Sequence, residues 1–321
     1  MTTLSPPLFW LAALFGHGLL WVEVVNRLHG YGWPRKLVDA ATAACGGAVA
    51  APPIAIGWAL ASGTDVGPIG VGYAWLSIVA LGLIAATRGA LAWDPQRDRR
   101  RRDVAIDRVD LHAATGGQAT AGGLVKTLAA APGNELLSLA TERFELPVDG
   151  LPTECDGLRV AHLTDLHMSG RLTRRYFEEV VRLTNLFEPD VVAVTGDIVE
   201  HAPQLDWVDP VLGALRARLG AWFVLGNHDE KVDCEELRRL LVAAGLRDAG
   251  RGPETVAVGD ATLRVVGDER PWFPACDALD AADGDASLRL RLVHTPDRFA
   301  AACAAGEHLV LAGHNHGGQV C

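Results

Sequence analysis

The chain has 321 residues, room for a membrane region plus one domain of ordinary size. Apolar residues make up 49% and the mean hydropathy is +0.16, an excess over a wholly soluble protein that sits in the first 93 residues. The formal charge of −10 comes from residues 151–321 alone. An acidic domain with no basic stripe argues against binding long nucleic acid through its backbone, but not against a small phosphorylated substrate, because bound cations reverse a local field.

Three apolar runs open the chain. Residues 8–22 are apolar apart from His17 and are followed by Glu23; residues 37–61 hold one early charge, Asp39; residues 68–87 hold none over 20 positions. A helix needs about 20 apolar residues to cross the ~30 Å hydrocarbon layer. The third run meets that length, the second meets it with an expected kink at Pro52-Pro53, and the first is the shortest. No lysine or arginine precedes Leu8, so the basic start of a signal peptide is missing. Trp10, Trp21, Trp58, Tyr73, Trp75 and Trp93 lie in or near these runs, and those at the ends suit interfacial anchoring.

Arg27, Arg35 and Lys36 lie between the first two runs, only Asp65 lies between the second and third, and Arg97 and Arg99 to Arg102 follow the third. With basic loops inside, three spans place the N-terminus outside and everything after the third span in the cytoplasm. The same arginines can pair with anionic headgroups of the lipid bilayer. The expected organisation is a transmembrane region of about three helices over 1–93, a basic juxtamembrane segment and linker over 94–142, and a further domain over 143–321. The expected location is the inner (plasma) membrane, multi-pass. Within the linker, the glycines of 116–123 mark a flexible stretch, 124–130 and 135–141 are predicted short helices, and 143–148 is the predicted first strand of the next unit. None of the six cysteines forms a CxxC pair, so they read as small hydrophobes in a reducing compartment.

From residue 158 onward, apolar β-branched runs alternate with helical periodicity. Strands are predicted at 158–164, 191–195, 221–225, 262–266, 288–293 and 308–311, and helices around 177–187, 212–219 and 234–244. This order implies an α/β fold with a largely parallel core, either one mixed sheet or two sheets packed face to face with helices outside. Ligands of such folds collect beyond the carboxyl ends of strands. Five polar motifs fall there: Asp165-Leu-His167, Gly196-Asp197, Gly226-Asn227-His228-Asp229, His294, and Gly313-His314-Asn-His316-Gly317.

Asp165 and His167 lie two apart and can face the same side of an extended segment. Asp197 follows a glycine that permits a tight turn, and its two oxygens can bridge two ions. Asn227 offers a neutral oxygen, and His294, His314 and His316 complete an N/O set suited to zinc, manganese or iron rather than calcium. Two divalent ions less two carboxylates and a bridging hydroxide leave the site about one unit positive, which favours phosphate oxygens. Taken singly, Asp-x-His or Gly-Asp is more simply a turn or a cap, and His162, on the opposite face of its strand, reads as structural. The ordered set is what packing does not account for.

These motifs closely resemble those of the calcineurin-like metallophosphoesterase superfamily, over about residues 143–321. The surrounding phrases Val293-His-Thr-Pro-Asp297 and Gly313-His-Asn-His-Gly-Gly-Gln319 resemble its bacterial membrane-associated branch. The resemblance implies a two-sheet sandwich flanked by helices. It implies one metal site of Asp165, His167, Asp197 and His316 and a second of Asp197, Asn227, His294 and His314, both taking divalent transition-metal ions (Mn2+, Zn2+, or Fe2+/Fe3+). It makes His228 the catalytic acid and Glu200 the residue that orients it, where members commonly carry aspartate. Protein phosphatases of the superfamily carry Asp-Arg-Gly where this chain reads Glu200-His201-Ala202, which counts against a phosphoprotein substrate. Members usually continue past the last histidine motif with further strands, so the domain is expected to be cut short at Cys321.

The expected function is a membrane-anchored metal-dependent phosphohydrolase or phosphodiesterase acting on a phosphoester or phosphoanhydride bond. A metal-bridging hydroxide would be the nucleophile, and a small, nucleotide-linked or lipid-phosphate molecule the substrate. The alternative is an inactive membrane sensor or scaffold that keeps the fold; Glu200 and the early end favour it, and the complete ligand set opposes it. A zinc protease is disfavoured by the lack of a His-Glu-x-x-His helix.

Overall fold

The computed structural model describes residues 6–30, 33, 35–92, 102–276, 279 and 286–315. The described chain forms two compact units, one holding the first three helices and the other the remainder.

The first unit consists of α1 (Pro6–Gly30), α2 (Arg35–Ser62) and α3 (Gly67–Ala92). All three are long and apolar enough to cross a membrane, over Pro7–Leu28, Lys36–Ser62 and Gly67–Ala90. The helix α2 continues through Pro52 and Pro53. Polar groups on the helices find partners inside the unit, as a lipid-embedded backbone and its side chains require. The buried His17 ring contacts Tyr73 Oη at 2.7 Å through Nδ1 and Val49 O at 2.8 Å through Nε2. Glu23, the residue that shortened the first apolar run, accepts a bond of 2.8 Å from Arg88 of α3. Gly16 lets α1 approach α3 closely: a Cβ there would lie 1.9 Å from Ser77 O.

In the second unit, β1 (Arg102–Asp110) is followed by the short helices α4 (Leu111–Ala114) and α5 (Gly123–Ala129), then by β2 (Ser138–Glu145). The strands β1 and β2 form their own antiparallel two-stranded sheet. The helix expected at 135–141 is therefore largely strand, and the strand expected at 143–148 ends at Glu145 and joins neither larger sheet.

The core follows as β3 (Val160–Leu163), α6 (Arg174–Leu186), β4 (Val191–Thr195), β5 (Gly220–Val224), α7 (Cys234–Ala243), β6 (Arg247–Asp248), β7 (Glu254–Val258), β8 (Ala261–Asp268), β9 (Leu288–Val293), α8 (Phe299–Ala304) and β10 (Leu309–Ala312). One sheet is wholly parallel, in the order β3-β4-β5-β6; the other runs β10-β9-β8-β7, parallel except where β7 meets β8. This is the face-to-face alternative read from the sequence. The helix expected at 212–219 is instead a π-helical turn over Val208–Leu212, closed by Gly213 N–H bonds to Val208 O and Asp209 O.

Strand alternation divides the core into two layers. Val191, Ala193, Trp222 and Val224 face the second sheet and pack on Leu263, Val265, Leu290 and Leu292. Val192, Val194, Phe223 and Leu225 face outward and pack on Phe177 and Val181 of α6 and Leu237 and Leu241 of α7. Burying each such side chain stabilises the fold by about 1.5–3 kcal/mol. The parallel strands release their carboxyl ends together. The Gly313 N–H donates to His294 O at 2.9 Å between the ends of β10 and β9, and His294 Nδ1, 2.8 Å from Thr195 O, ties one sheet to the other at that edge.

Candidate metal centre

The loops after β3 and β4 pair with each other before either reaches its helix. Asp165 N–H donates to Gly196 O at 3.1 Å, His167 N–H to Asp197 O at 2.8 Å, and Met168 N–H to Ile198 O at 3.0 Å. Asp165, His167, Asp197 and His314 all hold positive φ, at 52°, 46°, 53° and 71°. Non-glycine residues rarely adopt this conformation, and such strain gathers at sites where the surrounding structure fixes it. The extended segment expected at Asp165 and His167 is therefore absent, since both residues turn left-handed. Their side chains still converge, with His167 Nε2 3.9 Å from Asp165 Oδ1.

The buried Asp229 carboxylate fixes these loops from beneath. Its Oδ1 accepts from Ile198 N at 2.8 Å and Val199 N at 3.0 Å, and its Oδ2 accepts from Gly226 N at 2.8 Å. Burial and the nearby Asp197 charge raise its pKa, and the three amide bonds oppose that shift.

Asp197 sits at the centre. Its Oδ1 accepts the His228 backbone N–H at 2.7 Å, leaving Oδ2 to face both sides. Oδ2 lies 3.7 Å from His167 Nε2 and 3.3 Å from His294 Nε2. One oxygen, rather than two, is thus placed between the histidines. On the far side, His294 Nε2 is 3.1 Å from Asn227 Oδ1 and 3.3 Å from His314 Nδ1. Asp165 accepts the His314 backbone N–H at 3.0 and 3.1 Å, which anchors the last loop to the first.

This donor set fits a cation. The other His294 nitrogen, Nδ1, faces the Thr195 carbonyl and must donate to it, so the fully buried Nε2 turns a lone pair toward two oxygens and a nitrogen. Acceptors that meet without a donor need a proton or a metal ion between them. The same demand appears in the pKa of His294. Burial disfavours the imidazolium, but Asp197 outweighs it and the value rises to about 9. Asp197 is held well below the usual carboxylate range, because the His294 contact and nearby histidines overcome its burial. Among the described residues, carboxylate and imidazole donors lie within 4.8 Å of one another in three sets: Asp165–His167–Asp197 and Asp197–His294–His314, which share Asp197, and His167–Glu200–His228 beside them.

The structure therefore brings together Asp165, His167, Asp197, Asn227, His294 and His314; His316 lies outside the described residues. His228 and Glu200 stand beside them. Glu200 Oε1 contacts His228 Nδ1 at 2.5 Å and His167 Nδ1 at 3.0 Å. These two histidines, together with Lys231, hold the Glu200 pKa far below its ordinary value. His162 contacts Thr195 Oγ1 at 2.7 Å through Nε2.

Two residues at the site carry no signal of a role in the motifs themselves. Lys231 Nζ donates to Glu200 Oε1 at 2.8 Å and lies 2.6 Å from His228 Nδ1. Spacing is what could reveal it: Asn227–Lys231 is a 3₁₀ turn, in which residues three apart eclipse. The Trp272 ring lies 5.4 Å from that of His294 and 5.1 Å from that of His314. It follows the carboxyl end of β8, in a loop where the sequence analysis found no metal-type motif.

Comparison with known proteins matches residues 158–318 to the calcineurin-like phosphoesterase family. The chain is 28% identical over 193 residues to the "Transmembrane protein with metallophosphoesterase domain" of Danio rerio, covering 55% of this chain and 44% of that protein. It is 27% identical over 177 residues to the uncharacterized metallophosphoesterase YkuE of Bacillus subtilis, covering 53% and 62%. It is 26% identical over 167 residues to phosphodiesterase YaeI of Escherichia coli, covering 50% and 62%. The chain thus spans about half to three fifths of the length of these relatives.

Proposed function

From the premise that this chain belongs to the calcineurin-like phosphoesterase family, we propose that it hydrolyses a phosphoester or phosphoanhydride bond with two divalent metal ions. The observation that carries this reading is Asp197 Oδ2, set between His167 Nε2 and His294 Nε2 at 3.7 and 3.3 Å. Asp165, His167 and Asp197 would hold one ion, with His316 as their partner. Asp197, Asn227, His294 and His314 would hold the other. When bound, such ions supply Lewis-acid polarisation of a phosphoryl oxygen and a water that ionises near neutral pH, at a pKa of about 7. The protein's own groups supply the rest. The Asp197 backbone and Asp229 fix the loop geometry, Glu200 orients two histidines, and His228 delivers a proton to the leaving oxygen. Trp272 packs against the rings of His294 and His314 on one side of the cluster.

Three apolar helices and transmembrane relatives support a membrane-associated enzyme. We infer from the basic loops that it is multi-pass in the inner membrane with the metal centre facing the cytoplasm. A substrate carrying a lipid, presented laterally from the bilayer, accounts for the anchor. The phosphodiesterase name of the E. coli relative supports a diester as the first substrate class.

Detergent-purified full-length protein loaded with Mn2+ should hydrolyse phosphodiesters and bind two ions by elemental analysis. Asp197→Ala should lose both ions and turnover, whereas His228→Ala should keep the ions and lose about 10²–10⁴-fold in rate. Full activity in His228→Ala would remove the proton-donor assignment. Turnover of simple soluble diesters that equals or exceeds that of nucleotide-linked acyl sugars would remove the lipid specificity.

A further inference from the structure

Among the described residues of the second unit, nine large apolar side chains are exposed, and six of them fall within residues 106–146: Ile106, Leu124, Leu128, Leu136, Phe144 and Leu146. A lone exposed leucine needs no explanation, but this concentration in one short stretch does. The stretch is the β1–α4–α5–β2 segment, whose two-stranded sheet joins neither main sheet. Its most exposed members sit on α5. Leu124 is 72% exposed and Leu128 54%, and their spacing of four puts them on one face of that helix.

Tether and charge choose what covers that face. Residues 93–101 join the end of α3 to the start of β1. A chain of that length spans at most about 35 Å, so the segment is held within that distance of the third membrane helix. The tether carries Arg97 and Arg99 to Arg101, and residues 111–134, which hold α4 and α5, carry Lys126 and no carboxylate. That balance suits anionic headgroups. A stable protein partner needs roughly 800 Å² on each side, more than two leucines of a seven-residue helix supply. A bilayer needs less, because a tethered element meets it at high effective concentration.

We propose that the β1–β2 segment docks on the bilayer through α5, with Leu124 and Leu128 inserted at the boundary between headgroups and acyl chains. The docking element is fixed to the metal centre's first loop. Residues 168–173 lead from His167 to α6, and residues 118–121 pair with them. Ala121 N–H donates to Arg171 O at 3.0 Å, Thr173 N–H to Ala119 O at 2.9 Å, and Thr173 Oγ1 to Gln118 O. Leu111 and Ala119 are fully buried beneath this junction. Gly122 and Gly123, at φ of 92° and 57°, then turn the chain from the paired loop into α5. A docked α5 therefore holds the Asp165–His167 loop at a set height over the lipid, where a phosphate on a membrane-bound molecule is presented.

The inference rests on the membrane-associated reading, and on the phosphoester reading for its kinetic arm. Full-length, cysteine-free protein is placed in nanodiscs of phosphatidylethanolamine and phosphatidylglycerol, with single spin labels at positions 83, 124, 128 and 242. Oxygen, which concentrates among acyl chains, should relax the labels at 124 and 128 more than a water-soluble nickel chelate does, as it should at position 83 in α3. At position 242 of α7, where Val242 is an exposed apolar side chain remote from this segment in sequence, the order should reverse. In the kinetic arm, which keeps the native cysteines, Leu124→Glu combined with Leu128→Glu should lose about 10-fold in turnover of a diacylglycerol 4-nitrophenyl phosphodiester in the same lipid. Turnover of soluble bis(4-nitrophenyl) phosphate, which has the same leaving group, should not change. Water-exposed labels at 124 and 128 beside a lipid-exposed 83 would overturn the docking, as would shielding from both reagents, the mark of a protein partner. So would equal losses on both esters, or none on the lipid ester. A water-exposed label at 83 would refute the spans, and the docking with them. A wild type inactive on both esters refutes the proposed reaction, and one active on the soluble ester alone refutes the lipid substrate; in either case the spin labels decide the docking by themselves.

Discussion

At Gly226 an added Cβ would land 2.4 Å from Asp197 Oδ1, 2.7 Å from Asp197 N and 2.8 Å from His294 Cδ2. None of these atoms is free to yield, because Oδ1 already accepts from His228 N and the His294 ring is fully buried. Gly226→Ala should therefore push Asp197 out of place and weaken metal binding at both proposed sites by about 10–100-fold, with an overpacking cost of about 1–3 kcal/mol. Gly313→Ala, whose Cβ would meet Thr164 Oγ1 at 2.0 Å and Asp165 Oδ2 at 2.7 Å, should act first on the Asp165 side. Elemental analysis and metal titration check both; two tightly held ions in Gly226→Ala would contradict the central place given to Asp197. Residue identity at this site is readable from sequence because aspartate, histidine and asparagine after apolar runs have few packing roles. Conformation is not. The positive φ of Asp165 and His167 comes from pairing with the Gly196–Ile198 backbone, a partner about 30 positions away, so local alternation assigns the wrong geometry to the right residues. Lys231 stays hidden for a related reason: a lysine near a helix start reads as solvent-facing until its turn is known to be 3₁₀.

Elements, not loops alone, hold the edge in place. Arg238 of α7 donates to both Asp248 oxygens at 2.8 Å and to Glu269 Oε2 just beyond β8, while Glu269 Oε1 accepts Leu225 N at 2.6 Å. One buried guanidinium thus joins a helix to the ends of β5, β6 and β8 directly behind Asn227 and His228. Arg238→Met would leave Glu269, only 2% exposed, without its cation, which should cost about 3–5 kcal/mol in thermal unfolding. Burial already raises the Glu269 pKa, and the guanidinium restrains that rise. Its removal raises the pKa further, so the penalty is full at neutral pH, where the carboxylate is charged. It should shrink as pH falls through the raised value and a proton neutralises the group. Arg238→Met combined with Glu269→Gln, which keeps the acceptor for Leu225 N, should recover most of the loss. A loss independent of pH would point to packing instead. Six of the eight strands of the two main sheets are legible from their apolar, β-branched content, whereas the edge strands β6, only Arg247–Asp248, and β7, Glu254–Val258, carry too short or too mixed a pattern to be read. The 135–141 segment is not, since Glu-Leu-Leu-Ser-Leu-Ala-Thr has helical local preference and becomes strand through pairing with β1 some 30 residues earlier. The 212–219 segment has helical periodicity too, but Pro210 and Gly213 stop a regular helix at the π turn.

For the whole molecule, the membrane unit is the most legible part, because crossing a bilayer demands a local property, apolar length. What stays hidden is pairing between helices. Glu23 shortens the first run when read alone, yet it meets Arg88, 65 positions later, at 2.8 Å. Orientation is a property of the loops, and it makes two predictions of opposite sign. The loop after α2 carries Asp65 and no basic residue, and should lie outside; everything beyond α3 and its arginines should lie inside. Cys303, an exposed thiol on α8, reports the second location. In a variant keeping only Cys303, a membrane-impermeant maleimide should fail to label intact spheroplasts and should label them after permeabilisation. In a cysteine-free chain carrying Thr64→Cys, the same reagent should label intact spheroplasts at once. Labelling of Cys303 from outside, with protection at position 64, would invert the topology. It would also overturn the cytoplasmic placement proposed for the metal centre.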